Sequence, residues 1–370
     1  MPVTSHNLHG FNMSPNLRFF SIGFALFLFT FDCHAAATEA ESTAAAKQAT
    51  DTSFGAVLQG DGAAALRTLV AVPAPQYVGN AASYRHCMIE RFERAAPPPL
   101  VGDIADPFAR ATLTAYQEYW WRALNAPAQR DALPAALWQK LRKLIGAPAT
   151  SAKDFETLEP ILSSQLRKHG YYSLQGKTPP LRELMLWRKQ ETRDYDIVLP
   201  EGTQHVTVNL LDDFVSQGWS EFGSCGLGGT GGWTDDKAIY ALAPGYPDLQ
   251  GEDYRVSLLA HEGQHFADKH RAWKLESWEL EYRAKLTELA LADQTSHKLL
   301  QVFAQNQSDD RASPHAYGNK LVLAAISQRL GTATTSDIDL EKVPLGQLQE
   351  AARNTLIADT HQREVTNSAH

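Results

Sequence analysis

The arrangement of apolar and polar positions changes character several times along the chain. Phe19 to Phe31 is a run of thirteen apolar or small residues, with Arg18 before it and Ala35, Ala36 and Ala37 after it. A charged start, a short apolar middle and a small-residue end predict a secretory signal peptide over residues 1–35. Spanning a bilayer takes about 20 residues, so this run predicts no stable membrane span once it is removed. From Ala63 to Arg188, apolar residues recur three and four apart. The helical spacing is clearest in Ala115–Leu124 and Ala136–Ile145. After Arg193 alternation takes over. Tyr195–Leu199 and His205–Leu211 are rich in Val, Ile and Thr and predict strands, with Lys237–Leu242 as a third. Helical spacing returns around residue 261, at Leu275–Ala292 and at Asn319–Leu330. The expected fold is therefore α+β and mainly helical. A small, mostly antiparallel sheet packs beside the helix around residue 261, and the N-terminal region is helical. The expected divisions are the signal peptide, a flexible Ala/Thr/Ser/Glu-rich linker over 36–52, a helical region over 53–190 and a second region over 191–370.

Composition adds exclusions. The 370 residues are 44% hydrophobic and 21% charged, which excludes wholesale disorder. A formal net charge of -8 argues against a general nucleic-acid binder, whose phosphate contacts need a basic surface. Three cysteines exclude a disulfide scaffold. Cys33 follows Phe31 and Asp32 rather than a small residue, which disfavours lipid anchoring there. Cys87 and Cys225 remain, and an oxidising compartment permits them either to pair or to stay as two buried thiols. The Tyr119-Trp120-Trp121 triplet reads as core. Gly226, Gly228 and Gly231 form a literal G-x-G-x-x-G. A strand pattern follows it where a dinucleotide site needs a helix, so it reads as a mobile loop beside a cleft or a plain connection.

Residues 261 to 265 read His-Glu-Gly-Gln-His, an H-E-x-x-H, in a segment with helical packing positions and Asp253 as its expected cap. Residues four apart lie one turn apart on one helix face. His261 and His265 can therefore both face one metal ion. Glu262, about 100° around the axis, falls beside a metal-bound water as a general base. A catalytic zinc usually takes a third protein ligand and keeps one open position. Asp268 and Arg271 stand where a metzincin pattern would need Gly and then His or Asp, and His270 is out of phase. The third ligand is then sought among Glu276, Glu279 and Glu281 on the next helix. An antiparallel hairpin turning near Trp273 sets His265 and Glu281 equally far from the turn, about 12 Å each at 1.5 Å per residue. Glu281 is preferred, with Glu279 next. Ala284, one turn on, allows the helices to approach closely.

His261-Glu262-Gly263-Gln264-His265 followed by Glu281-Tyr282-Arg283-Ala284 resembles the gluzincin superfamily of zinc metallopeptidases, with H-E-x-x-H plus a Glu on a second helix. The resemblance covers about 30 residues and assigns no family within the superfamily. Two features depart from the pattern. The gap between His265 and Glu281 is short, and Lys285 stands where many members carry an Asp that supports a ligand His. Asp268 is the candidate for that support here. The resemblance implies one zinc ion per chain and a Tyr or His that stabilises the oxyanion, for which His315 and Tyr317 are the candidates. It also implies an edge strand that receives extended substrate, a place Lys237–Leu242 would fill. The expected function is an exported, periplasmic or extracellular zinc metallopeptidase acting on a peptide or protein. The alternatives are a zinc amidase acting on a cell-wall peptide and a zinc-containing binding or structural protein without turnover.

Overall fold

The computed structural model describes residues 41–271, 273–331 and 340–368. The expected signal peptide, Cys33 and the first part of the expected linker lie outside the described residues. The rest of that linker is not a linker. Ala44–Leu58 forms helix α1, with the Thr43 hydroxyl accepting from the Ala46 N–H at 3.2 Å. The Ala-rich composition that suggested a tether is also that of the best helix former.

Five more helices follow: α2 (Gly62–Val70), α3 (Gly79–Phe92), α4 (Pro107–Asn125), α5 (Leu133–Ile145) and α6 (Phe155–Lys168). They enclose the larger apolar core, built around Met88, Leu113, Tyr116, Trp120 and Leu124. The Tyr119-Trp120-Trp121 triplet is buried in it, and both indole N–H groups are satisfied. Trp120 donates to the Arg182 carbonyl and Trp121 to the Arg91 carbonyl, each at 2.8 Å.

The sheet begins earlier than alternation predicts. Strands β1 (Tyr172–Thr178), β2 (Leu181–Leu199) and β3 (Gly202–Gln217) form an antiparallel meander. The short helix α7 (Trp219–Gly223) leads into β4 (Gly232–Thr234) and β5 (Ala238–Leu242). The strand order is β1-β2-β3-β5-β4, with β3 and β5 parallel and the other neighbours antiparallel. The strand expected at Lys237–Leu242 is therefore an interior strand, and the edge belongs to β4. The first half of β2 escaped the alternation rule because both its faces are covered. Leu181, Leu184 and Leu186 join the helical core, whereas Met185 and Trp187 pack with Leu211, Trp233 and Leu242. A strand buried on both faces has no polar side to alternate with.

After the sheet the chain turns helical: α8 (Glu252–Tyr254), a π turn (Arg255–Ala260) and α9 (His261–Lys269). Asp253 is inside the first turn, and Gly251 occupies the cap position instead. Four helices complete the fold: α10 (Ser277–Leu291), α11 (Ser296–Gln305), α12 (Pro314–Arg329) and α13 (Leu345–Ser368). Their core comprises Leu286, Leu289, Phe303, Val322, Ile326 and Leu356 among others. The fold is α+β and mainly helical, with the small sheet beside the H-E-x-x-H helix. None of the described helices is long and apolar enough to cross a membrane.

Cys87 on α3 and Cys225 after α7 are joined as a disulfide, with Cα atoms 6.1 Å apart and a sequence separation of 138. Replacing both by Ser is expected to lower stability by about 2–5 kcal/mol. Thermal unfolding with and without reductant checks this, and the double variant should no longer respond to reductant. A second prediction concerns Glu183, whose Oε1 accepts from the Trp219 N–H at 2.9 Å and the Leu184 N–H at 3.0 Å, tying β2 to α7. Burial pushes its carboxyl up to about 7. The folded value is above the unfolded one, so the folded state binds the extra proton. The stabilising contribution is complete below about pH 4.5 and is lost as pH rises to about 7. Glu183→Gln should flatten that part of the stability–pH profile in denaturant titrations.

Candidate metal centre and cleft

The site rests on two antiparallel helices, α9 and α10, and on the start of α12. Residues 256 to 260 ahead of the motif are all buried, in a π turn of a kind frequent at functional sites. Gly263 lies against β2. A Cβ there would stand 3.2 Å from two side-chain carbons of Ile197, so a small residue lets the motif helix sit low on the sheet. Gly318 on α12 serves the same purpose from the other side, since its Cβ would be 3.2 Å from that of Glu281.

His261, His265 and Glu281 form a buried cluster whose ligand atoms all lie within 4.8 Å of one another, and which could hold a metal ion. His265 Nε2 is 3.3 Å from Glu281 Oε1, and His261 Nε2 is 3.6 Å from Glu281 Oε2. A tetrahedral zinc with bonds of about 2.0–2.1 Å separates its ligands by about 3.3–3.4 Å. The two His–Glu separations are near that value, and the set as a whole is compact enough to hold a metal ion. Several buried atoms here also lack protein partners: both Glu262 oxygens, His265 Nδ1 and Glu281 Oε2 by hydrogen-bond geometry. Glu281 Oε2 does stand 2.7 Å from His315 Nδ1 as an ion-pair contact. Buried polar atoms are normally satisfied, so this concentration points to a ligand.

The other two candidate glutamates are turned to different tasks. Glu276 occupies the α10 cap position, and Glu279 accepts from its backbone N–H at 2.8 Å. Glu279 also pairs with Arg363 on α13 at 2.8 Å. Asp268 does not support a ligand His either. It pairs with Arg283 Nε at 2.8 Å and accepts from Gln264 at 3.0 Å. The group that sequence reasoning missed is Glu288. Its Oε1 lies 2.6 Å from His261 Nδ1, which leaves Nε2 to face the cluster. A usable signal existed: Glu288 is seven residues after Glu281, two helical turns along the same face. Of the two expected oxyanion donors, only His315 reaches the cluster. Tyr317 packs edge-on against Trp278, ring centroids 5.4 Å apart, and is not among the lining residues of the cleft.

Electrostatics follow this arrangement. Burial raises the Glu262 carboxyl, and the neighbouring His265 and His261 offset this only in part. Burial alone would depress His261, but the Glu288 carboxylate beside it carries it up to about 9. Burial would raise Glu281, but His315, His265 and His261 hold it well below the usual range.

A cavity of about 510 Å³ opens onto Glu262, His265 and Glu281. Part of its lining comes from the N-terminal region, including Leu58, Arg130 and Pro180, and α7 adds Trp219. The glycine-rich stretch does not line it. Gly226 to Gly231 border a different cavity, next to the Cys87–Cys225 disulfide. No family model, curated protein or solved structure matches the chain.

Two substitutions test how the cluster is held. Glu288→Gln should weaken zinc binding by about 10- to 100-fold, read by competition with a chromophoric chelator. Arg283→Met should cost about 3–5 kcal/mol in denaturant unfolding, because it strands buried acidic partners.

Proposed function

We propose that the chain is an exported zinc metallopeptidase of the gluzincin type. The observation that carries this reading is the unpartnered Glu262 carboxylate, buried on the cleft beside the spaced donors of His261, His265 and Glu281. Bound zinc would supply Lewis acidity and bring the pKa of a water toward about 7. Glu262 takes the proton of the attacking water and returns it to the leaving amine nitrogen. His315, beside Glu281 in the cleft lining, would donate from its remaining ring nitrogen to the oxygen of the attacked carbonyl. Glu288 orients His261, and the rest of the cleft lining holds the peptide. The disulfide supports export, since such bonds persist in oxidising compartments.

A zinc amidase acting on a cell-wall peptide would use the same groups, and the residues that hold substrate would separate the two. A zinc-binding protein without turnover is the weaker reading. Structural zinc sites usually close with four protein ligands, and they do not need a buried free carboxylate such as Glu262.

Elemental analysis of the purified chain is expected to give one zinc, with a clear loss in Glu281→Ala. Glu262→Gln should keep the zinc and lower cleavage of a quenched-fluorescence peptide pool by at least about 100-fold. A folded parent that takes up no zinc would overturn the reading.

A further inference from the structure

Lys269 is the last residue of α9 and lines the cleft together with Glu262 and His265. It lies one turn beyond His265 and two turns beyond Glu262, so its side chain leaves the helix on the cleft side. Its ammonium donates to one neutral acceptor, the Thr234 carbonyl of edge strand β4, at 2.7 Å. Among the described residues no carboxylate forms an ion pair with it. Asp235 and Asp236 are near enough to be felt, but Asp235 is engaged by the Lys237 and Ala238 N–H groups and the Tyr240 hydroxyl. Glu262 is the strongest charged neighbour of this half-buried ammonium but does not contact it as an ion pair, so the cation keeps room for an anion that can reach it.

A second cation of the same lining repeats the feature. Arg130 lines the same cavity, and its Nη2 bonds only carbonyl oxygens, of Gly60 at 2.7 Å and Gln59 at 3.4 Å. Its Nε is buried without a partner. The lining carboxylates, Glu262 and Glu281, balance these two cations. A divalent ion at the cluster therefore leaves the cleft with an excess of two positive charges, in a chain whose formal charge is -8.

We infer that the cleft selects an acidic peptide, with Lys269, assisted by Arg130, binding a substrate carboxylate beside the reacting bond. The inference rests on the peptidase reading for the word peptide, and on the chain's own two cations for the anion. Lys269 also occupies the Thr234 carbonyl, the acceptor that an incoming backbone would use on β4. Recognition then comes from the carboxylate more than from strand addition at that point.

The test uses the full chain carrying Glu262→Gln, so that binding is read without turnover. The probes are capped alanine pentapeptides with a single Glu, or a single Gln, moved through each position, together with one peptide bearing a free C-terminal carboxylate and its amide. The expected result is one position, or the free terminus, at which the acid binds about tenfold tighter than its neutral partner. Lys269→Met should reduce that ratio below about threefold, and Arg130→Gln should reduce it in part. Thermal unfolding checks that each variant is folded. If Lys269→Met does not fold, Arg130→Gln decides. Equal binding of acid and neutral peptides by the parent overturns the inference. So does a full acid preference in folded Lys269→Met, or in Arg130→Gln when it decides. Zinc content, measured on the same samples, keeps the two readings apart. Zinc without acid preference sinks the inference and leaves the peptidase. Acid preference without zinc sinks the peptidase and leaves an anion site.

Discussion

Arg283 is fully buried, and three of its nitrogens reach three carboxylates from three other parts of the chain. Nε pairs with Asp268 on α9 at 2.8 Å, Nη2 with Glu201 at 2.8 Å and Nη1 with Asp359 on α13 at 2.6 Å. Glu201 sits in the tight turn between β2 and β3, and its carboxylate also takes Arg271 and the Thr360 hydroxyl. One guanidinium therefore ties the motif helix, its partner helix, the tip of the longest hairpin and the last helix to a single arrangement. A planar fork of fixed donors suits this better than an ammonium. Such a network contributes little to net stability compared with apolar packing, but it penalises every other register heavily, because any slip strands a buried charge. The cluster depends on that constraint. Its donors stay together only while α9 and α10 hold their present relative height.

The same network explains the division of labour among the acidic residues. Asp268 is committed to Arg283 and Glu279 to Arg363, so neither is available to the cluster. Glu288 is left as the buried carboxylate opposite His261, and it fixes which imidazole nitrogen faces the cluster. Gln264, between the two motif histidines, accepts from Thr287 at 2.9 Å and donates to Asp268. The middle of H-E-x-x-H is thus the link between the ligand face and the supporting face.

Much of the site was legible because its chemistry follows helical period. His261, Glu262 and His265 follow from one turn of helix, and Glu281 from equal distance to the intervening turn. Glu288 carried a signal in its spacing from Glu281, but it was masked because α10 is buried on nearly every side. Its sequence mixes Arg283, Lys285 and Glu288 with Leu286 and Leu289, which reads as an exposed charged face. Tyr317 and His315 differ only in where α12 points them, which depends on packing with Trp278 and Glu281. In the fold, the N-terminal helices and the distal half of the β2–β3 hairpin carried clear periods. β1 and the first half of β2 did not, and the Ala-rich start of α1 looked like a tether. The order of β4 and β5 depends on a parallel pairing with β3 that no local pattern encodes.

The helical N-terminal region gains a role from this geometry. Alone, the second region would present Glu262 and its neighbours on an open face. The wall formed by Leu58, Gln59, Arg130 and the Thr178–Pro180 turn converts that face into a cavity. Enclosure lowers the local dielectric and strengthens each charge inside it. That matters most for charges that no ion pair engages among the described residues, and Lys269 and Arg130 are such groups. The disulfide acts on the same junction, because it ties α3 to the segment that follows α7, and α7 supplies Trp219 and Ser220 to the cavity wall. The covalent tie and the buried Glu183 contacts to Trp219 hold the wall in place. The Arg283 network holds the opposite side. The cleft lies where the two restraints meet, so its width is set by the fold rather than by the substrate.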